Sequence, residues 1–161
     1  MTKLNNHEVE ITFEEFQQAI KRIEGCLINT ITFNDDYASI IIFNFDDHKS
    51  LKINWDWDYF LLENGQPNRI MSGNLQENET EDKCNERIKS FFAKRKNIII
   101  HKIEFNLLPD GKKFVVIFFN PNEGLFVYAE EDCWLSLSDK QSVWYYRKKK
   151  YYFKNQEKYL A

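Results

Sequence analysis

Residues 54–59 (Asn-Trp-Asp-Trp-Asp-Tyr) are the densest group of side chains in the sequence that could bind or catalyse. Side chains alternate between the two faces of a strand, so Asp56 and Asp58 would share one face and the aromatic residues the other. Two carboxylates are suitable ligands for Mg²⁺ or Ca²⁺, but such sites usually contain further oxygen ligands. A solvated face opposite a buried aromatic face is the simpler interpretation.

The same acids also suggest a docking surface. Two further acids occupy the turn that leads into this predicted strand, so the sequence predicts four neighbouring carboxylates. Such a surface would suit a basic protein partner, such as a nuclease whose substrate groove is lined with Lys and Arg. The predicted partner-binding residues are Asp46, Asp47, Asp56 and Asp58.

A second segment, residues 140–161, combines cations with aromatic rings. Rings stack on bases and cations bind phosphates, so this mixture is typical of single-stranded nucleic-acid binding. A solvated turn between two packed segments is the simpler interpretation, because no RNA-recognition motif accompanies the segment and the rest of the chain is acidic. A third possibility is a tail that folds back on the acidic first half. The residues that would bind nucleic acid are Trp144, Tyr145, Arg147, Lys148, Lys149 and Lys150.

Catalytic and cofactor motifs are missing from the sequence. It contains no glycine-rich phosphate loop, no nucleophile elbow and no His-Glu-x-x-His pair. Three histidines lie far apart, and the spacing of Cys26, Cys84 and Cys133 fits neither a zinc nor a redox motif. We therefore expect a protein that is not an enzyme, binds no metal or cofactor, and keeps its thiols reduced and mostly buried.

The charge of the chain is distributed unevenly. The 161 residues carry a net charge of −3, with 6 Lys/Arg against 14 Asp/Glu in residues 1–79 and 7 against 1 in residues 140–161. An acidic first half argues against a polyanion wrapped around the whole surface. The N-terminal ten residues are polar and no apolar stretch reaches the length of a membrane span, so we expect a cytoplasmic protein.

Two helices and a series of hairpins are predicted to position these segments. Thr12 and Thr80 are candidate N-caps, each followed by acids and then by apolar residues at helical spacing, and Gly25 is placed to end the first helix. Turn residues then separate the strands of two antiparallel meanders. The predicted strands are residues 28–33, 37–45, 51–59, 98–106, 114–119 and 125–130.

The two halves of the chain also match each other residue by residue. A shift of 72 lays Phe16 on Ile88, and a shift of 74 lays Leu51 on Leu125. We interpret this as an internal duplication within a single domain, residues 1–161, of α+β class: two tandem halves, each a helix plus an antiparallel meander, related by a pseudo-two-fold axis. The predicted repeats are residues 12–72 and 80–146, with a weaker fourth strand in each at 69–72 and 143–146. Residues 151–161 are compatible with a short C-terminal helix.

The duplicated order of helix and strands, read over residues 28–59 and again over 98–130, resembles the Whirly-type fold. That fold is known in single-stranded DNA-binding proteins and is similar to some immunity proteins of bacterial contact-dependent inhibition systems. The resemblance, together with the acidity and the lack of catalytic motifs, implies an immunity-like inhibitor that neutralises a toxin by covering its active or substrate-binding surface. The alternative is a single-stranded nucleic-acid-binding protein that uses the basic-aromatic segment.

Overall fold

Two antiparallel sheets and two helices make up the fold in a computed structural model, which describes residues 8–155. The α+β class predicted from the sequence is confirmed, although strands dominate. The elements are β1 (Glu8–Ile11), α1 (Phe13–Lys21), β2 (Thr30–Phe33), β3 (Ile41–Asn44), β4 (Ser50–Ile53), β5 (Trp57–Glu63), β6 (Gln66–Ser72), α2 (Glu81–Ala93), β7 (Lys102–Leu107), β8 (Lys113–Asn120), β9 (Glu123–Tyr128), β10 (Leu135–Ser138), β11 (Ser142–Arg147) and β12 (Lys150–Asn155).

The strands are shared between the sheets in an interleaved order. The seven-stranded sheet has the order β1-β12-β11-β10-β4-β3-β2, and the five-stranded sheet has the order β6-β5-β9-β8-β7. The seven-stranded sheet therefore joins the meander β2-β3-β4 to the meander β10-β11-β12, with β1 at its edge, and the five-stranded sheet joins the hairpin β5-β6 to the meander β7-β8-β9.

The main core lies between the inner faces of the two sheets. Phe43 of the seven-stranded sheet contacts Phe119 of the five-stranded sheet, with ring centroids 5.8 Å apart. Helix α1 fills one side of the gap, where Phe16 contacts Tyr151 and Phe105. Helix α2 fills another side, where Phe92 contacts rings from both sheets.

The two helices begin where the sequence predicts. The side chain of Thr12 accepts a hydrogen bond from the Glu15 amide, and the Glu15 carboxylate accepts one from the Thr12 amide. The side chain of Thr80 likewise accepts a hydrogen bond from the Lys83 amide. Such caps satisfy amides that have no partner inside the helix. Within residues 8–155 neither helix is long and apolar enough to cross a membrane.

The predicted strand 51–59 is wrong, because the chain changes sheet within it. Strand β4 ends at Ile53 in the seven-stranded sheet and β5 begins at Trp57 in the five-stranded sheet. The residues between them bond to the second half of the chain. Asn54 donates to the Trp134 carbonyl, and the Asp56 carbonyl accepts from the Tyr128 amide at 2.8 Å. Apolar and polar residues alternate without a break through residues 51–59, so the sequence gives no sign that the chain changes sheet there.

The C-terminal helix is also wrong over residues 151–155, which belong to β12 and pair with β11 and β1; residues 156–161 lie outside the described part of the chain. Three strands were not predicted: β1, β10 and β12. The predicted fourth strand at 69–72 extends to Gln66–Ser72, because Asn64 and Gly65 form a tight turn with positive φ before it. Asn-Gly is the preferred sequence of such a turn.

Candidate protein-docking groove

A groove of about 420 Å³ opens where the β2–β3 loop, the β4–β5 connection and the start of α2 meet. Three large side chains remain exposed beside it: Tyr37 at 45%, Trp55 at 41% and Leu75 at 55%. The rings of Tyr37 and Trp55 meet edge to face, with centroids 6.3 Å apart. The residues that line the groove are Tyr37, Ser39, Trp55, Gly73, Asn74, Leu75, Glu81, Cys84 and Asn85.

The floor of this docking groove is a glycine packed on a buried tryptophan. A Cβ atom at Gly73 would lie 2.4 Å from the ring of Trp57, so only glycine fits there without a shift of the ring. The Trp57 indole is fully buried and donates from Nε1 to the Ser39 carbonyl at 2.8 Å. The floor is therefore fixed by close packing and by a satisfied hydrogen bond.

The loop that carries Tyr37 is held by asparagine side chains. Oδ1 of Asn34 accepts hydrogen bonds from the amides of Asp36 and Tyr37. Asn85 of α2 accepts from the Ala38 amide at 2.8 Å and donates to the Asp36 carbonyl at 3.1 Å. These bonds fix the loop to the helix, and Tyr37 is held in place although it is exposed.

The loop that carries Leu75 is held by Arg87. Its guanidinium forms a two-pronged ion pair with Glu79, at 2.8 and 2.9 Å, and donates to the carbonyls of Ser72 and Asn74. The ion pair with Arg87 lowers the pKa of Glu79 to about 2. Planar pairs of this kind fix geometry as well as charge, so both walls of the docking groove are rigid.

The rim of the groove is acidic. Glu81 lines it, the carboxylate of Asp56 accepts a hydrogen bond from the lining residue Asn74 at 3.5 Å, and Asp36 precedes Tyr37 in the loop. Asp56 also lies beside Glu130, and a hydrogen bond between the two carboxyl groups raises the pKa of Glu130. Two carboxylates held close together repel each other, and a cation placed beside them relieves that repulsion. We therefore expect this rim to attract cations. In residues 8–155 no group of three His, Cys, Asp or Glu is arranged to hold a metal ion.

The structure does not bring the four predicted acids together. Asp46 and Asp47 lie in the β3–β4 turn, at the opposite end of β4 from Asp56, and Asp46 accepts a hydrogen bond from Asn29. Asp58 pairs with Arg69 at 3.2 Å on the outer face of the five-stranded sheet. Only Asp56 of the four borders the docking groove. The prediction of one acidic face depended on a continuous strand, and the change of sheet removes it.

Residues 142–155 of the basic-aromatic segment form the β11–β12 hairpin, and their side chains point to opposite sides of the sheet. Trp144 faces inward, under the guanidinium of Arg22. Tyr145 faces outward and stacks on Tyr152 of β12, with centroids 5.4 Å apart. Arg147 lies over the Tyr152 ring at 4.6 Å. Lys148 and Lys149 form the turn, and Lys150 begins β12.

Two of these cations are paired with acids from the start of the described chain. Arg147 forms an ion pair with Glu8 at 3.2 Å, and Lys150 lies 3.8 Å from Glu10. The hairpin therefore packs its cations against acids of the first half of the chain, which is one of the alternatives that the charge distribution left open. It leaves Lys148 and Lys149 exposed in the turn.

Sequence reasoning missed Tyr37 and Leu75 as members of the site. A signal was present for Tyr37, because Asn-Asp-Asp before an aromatic residue is typical of a side-chain-stabilised turn that projects the next residue. No local signal marks Leu75, whose position depends on Arg87 from α2. Comparison of the chain with protein-family models, with curated proteins and with solved structures finds no match to any of them.

Proposed function

We propose that the protein is a non-enzymatic, immunity-like inhibitor that binds a basic protein partner through the docking groove. One observation carries the proposal: Trp55, Tyr37 and Leu75 are exposed together in a rigid groove with an acidic rim. The partner is a toxin domain whose active or substrate-binding surface is rich in Lys and Arg, and the complex forms in the cytoplasm.

The chemistry of the groove favours a protein partner with a protruding cation. Exposed Trp and Tyr side chains are the residues that most often dominate binding energy at interfaces. A Lys or Arg side chain that enters the groove would meet two aromatic faces and the carboxylate of Glu81. Because Asn85 and Arg87 already hold the walls, the ordering of the loops costs little on binding.

An internal duplication is part of the proposal. Leu27 and Ile99, which are 72 positions apart, form an antiparallel bridge with each other, as residues beside a pseudo-two-fold axis would. Ile53 pairs with Leu135, and Val127 pairs with Trp57. A two-fold axis that relates Ile53 to Val127 also relates Trp57 to Leu135. Residues after the β4–β5 connection would then match residues 78 positions later in the chain, rather than the 74 positions that the sequence predicts.

A photo-crosslinking amino acid placed at position 37 tests the docking proposal in the cells that produce the protein. We expect a covalent adduct with one basic protein, whose purified activity is inhibited by the unmodified chain. The same amino acid at position 145, on the outer face of the seven-stranded sheet, is the matched control and should give no such adduct. A captured protein that stays fully active when saturated with this chain would contradict the proposal.

A second candidate function, single-stranded nucleic-acid binding, is favoured by the stacked Tyr145 and Tyr152 rings under Arg147. They lie on an outer sheet face, in a row with Lys52 of β4 across the intervening strand. Aromatic rings on such a face offer a stacking surface for bases, and the neighbouring cations would contact phosphates.

Fluorescence titration with a single-stranded oligonucleotide tests this second function. We expect affinity that falls as salt rises, and a loss of about 1–3 kcal/mol for Tyr152→Ala. Tyr37→Ala is the control and should leave the affinity unchanged. Absence of binding at low salt would remove this function and leave the docking proposal in place.

A further inference from the structure

The free edge of strand β2 lies beside another groove, of about 510 Å³, which opens between β2 and the C-terminal end of α2. Within residues 8–155, β2 pairs only with β3 and forms one edge of the seven-stranded sheet. We call this cavity the edge groove. The lining residues that matter below are Ile31, Phe33, Lys89, Phe92, Arg95 and Lys96.

Two residues of β2 direct their main-chain groups away from the sheet. Hydrogen-bonded and non-bonded residue pairs alternate along an antiparallel ladder. The Asn34 amide donates to the Ile40 carbonyl at 3.0 Å, in register with the pairing of β2 and β3. Ile31 and Phe33 lie at odd steps from that pair, so their amides and carbonyls point outward from the free edge.

The edge strand of the other sheet offers a direct comparison for the outward amide of Ile31. Strand β7 is an edge of the five-stranded sheet, and its residue Ile103 lies 72 positions after Ile31. The Ile103 amide donates to a carboxylate oxygen of Glu24 at 2.8 Å. At this edge the outward amide is therefore satisfied by an acidic side chain of the chain itself.

The two edges have the same local geometry. The Asn29 amide donates to the Asn44 carbonyl and the His101 amide donates to the Phe118 carbonyl, each at 2.7 Å. Each donor lies two positions before the isoleucine of its edge. The comparison between the two isoleucine amides therefore holds at the level of hydrogen bonds.

The charge beside the two edges is opposite. Lys96 lies 72 positions after Glu24, so a cation stands at β2 where an acid stands at β7. Among the described residues that line the edge groove, three are cations and none is an acid. Arg95 lies 4.0 Å from Glu123, whereas the exposed Lys89 and Lys96 form no ion pair within residues 8–155.

We infer that the free edge of β2 binds an extended, acidic segment of a protein partner, which adds a strand to the seven-stranded sheet. The main chain of the segment pairs with Ile31 and Phe33, because an open edge is a template for a further strand. Its acidic side chains meet Lys89 and Lys96 in charge-assisted hydrogen bonds. This local lining favours an acidic segment although the whole chain has a net charge of −3.

This inference goes beyond the proposed inhibitory function and does not depend on it. The edge groove and the docking groove share no lining residue. The partner of the docking groove is basic and the segment bound at β2 is acidic, so either proposal can fail without the other.

Selection from a display library of random peptides, roughly ten residues long, tests the inference with the whole chain as bait. We expect the selected peptides to include a group rich in Asp and Glu. Lys96→Glu should raise the dissociation constant of that group about tenfold or more, because like charges then face each other. Lys94→Glu is the matched control, since Lys94 is exposed, lies outside the edge groove and changes the net charge equally; it should have little effect.

Two further measurements test the main-chain pairing. Ile31→Pro removes an amide that β3 does not use, so the chain should still fold and the acidic peptides should no longer bind. In the wild type, a bound peptide should slow hydrogen exchange at the Ile31 amide. It should not slow exchange at the Ile103 amide, which already donates to Glu24.

Unchanged exchange at the Ile31 amide in the saturated complex would overturn the inference, even if Ile31→Pro fails to fold. Equal loss of affinity in Lys96→Glu and Lys94→Glu would overturn it as well. Selection of basic peptides alone, or of none, would also overturn it, and basic peptides would at the same time support the docking groove.

Discussion

Glu79 and Arg87 are the pair on which the Leu75 wall of the docking groove depends. The carboxyl pKa lies at about 2 in the folded chain and at 4.5 when unperturbed. The pair therefore stabilises the fold fully above about pH 4.5, and this contribution is lost as the pH falls towards 2, because the unfolded chain then binds more protons.

Glu79→Gln should lower stability at neutral pH and flatten its dependence on pH between 4.5 and 2. Urea unfolding at several pH values measures both effects. Glu77→Gln, an exposed acid in the same loop, is the control and should keep the wild-type slope. An equal slope in Glu79→Gln and the wild type would mean that the pair does not hold the loop.

Gly73→Ala should destabilise the protein by about 1–3 kcal/mol, because the new methyl group would overlap the Trp57 ring. In a Trp57→Phe background the smaller ring leaves room, so the same substitution should cost less. A double-mutant cycle of urea unfolding measures this coupling. Additive costs in the cycle would show that the glycine matters for some other reason.

Single residues of the site were only partly predictable. Thr12 and Thr80 were identified as caps because their signals lie within one helical turn. Trp55 was placed on the buried face with Trp57, since alternation along the sequence gives no sign that the strand stops between them. Its exposure follows from the crossing between sheets, which the second half of the chain holds open.

At the scale of elements, the β11–β12 turn stores backbone strain. Lys148 and Lys149 both adopt left-handed φ, of 50° and 70°, which favours Asn and Gly over lysine. Strain that persists at a surface turn is commonly associated with function. Two exposed cations beside the Tyr145–Tyr152 stack are consistent with the second candidate function.

Replacing the two turn lysines with Asn-Gly should raise the free energy of unfolding by about 1 kcal/mol. Urea unfolding measures the gain. Gly65→Lys, in the turn that already has Asn-Gly, is the matched control and should cause a loss of similar size. No change in either variant would show that neither turn is strained by its side chains.

The strands themselves were easier to predict from the sequence than their pairing and the sheet to which each belongs. Residues 151–155 carry aromatic side chains on both faces and no glycine precedes them, so the hairpin was not evident and a helix was expected. Pairing with β1, more than 130 residues earlier in the chain, decides the outcome. The meanders were predicted, but their division between two sheets depends on pairings such as β4 with β10 and β5 with β9.

At the scale of the whole molecule, three surfaces have different chemistry. The docking groove is aromatic and acidic, the outer face of the five-stranded sheet carries the packed rings of Phe60, Phe118 and Phe126, and the β11–β12 hairpin is basic, with part of its charge paired to Glu8 and Glu10. The charge polarity of the sequence indicated an acidic first half and a basic C-terminal segment, but it did not predict the docking groove. The position of the groove could not be predicted from the sequence, because Asp36, Asp56 and Glu81 lie in three separate segments that only the folded chain brings together.

The affinity of the basic partner captured at position 37 for variants of the docking groove tests the central claim most directly. We predict that Trp55→Ala raises the dissociation constant about 30-fold or more, the effect of removing a dominant aromatic residue from an interface. Asp36→Lys combined with Asp56→Lys should slow association and reduce its dependence on salt. Tyr145→Ala should bind as the wild type does. Wild-type affinity in Trp55→Ala would contradict the account.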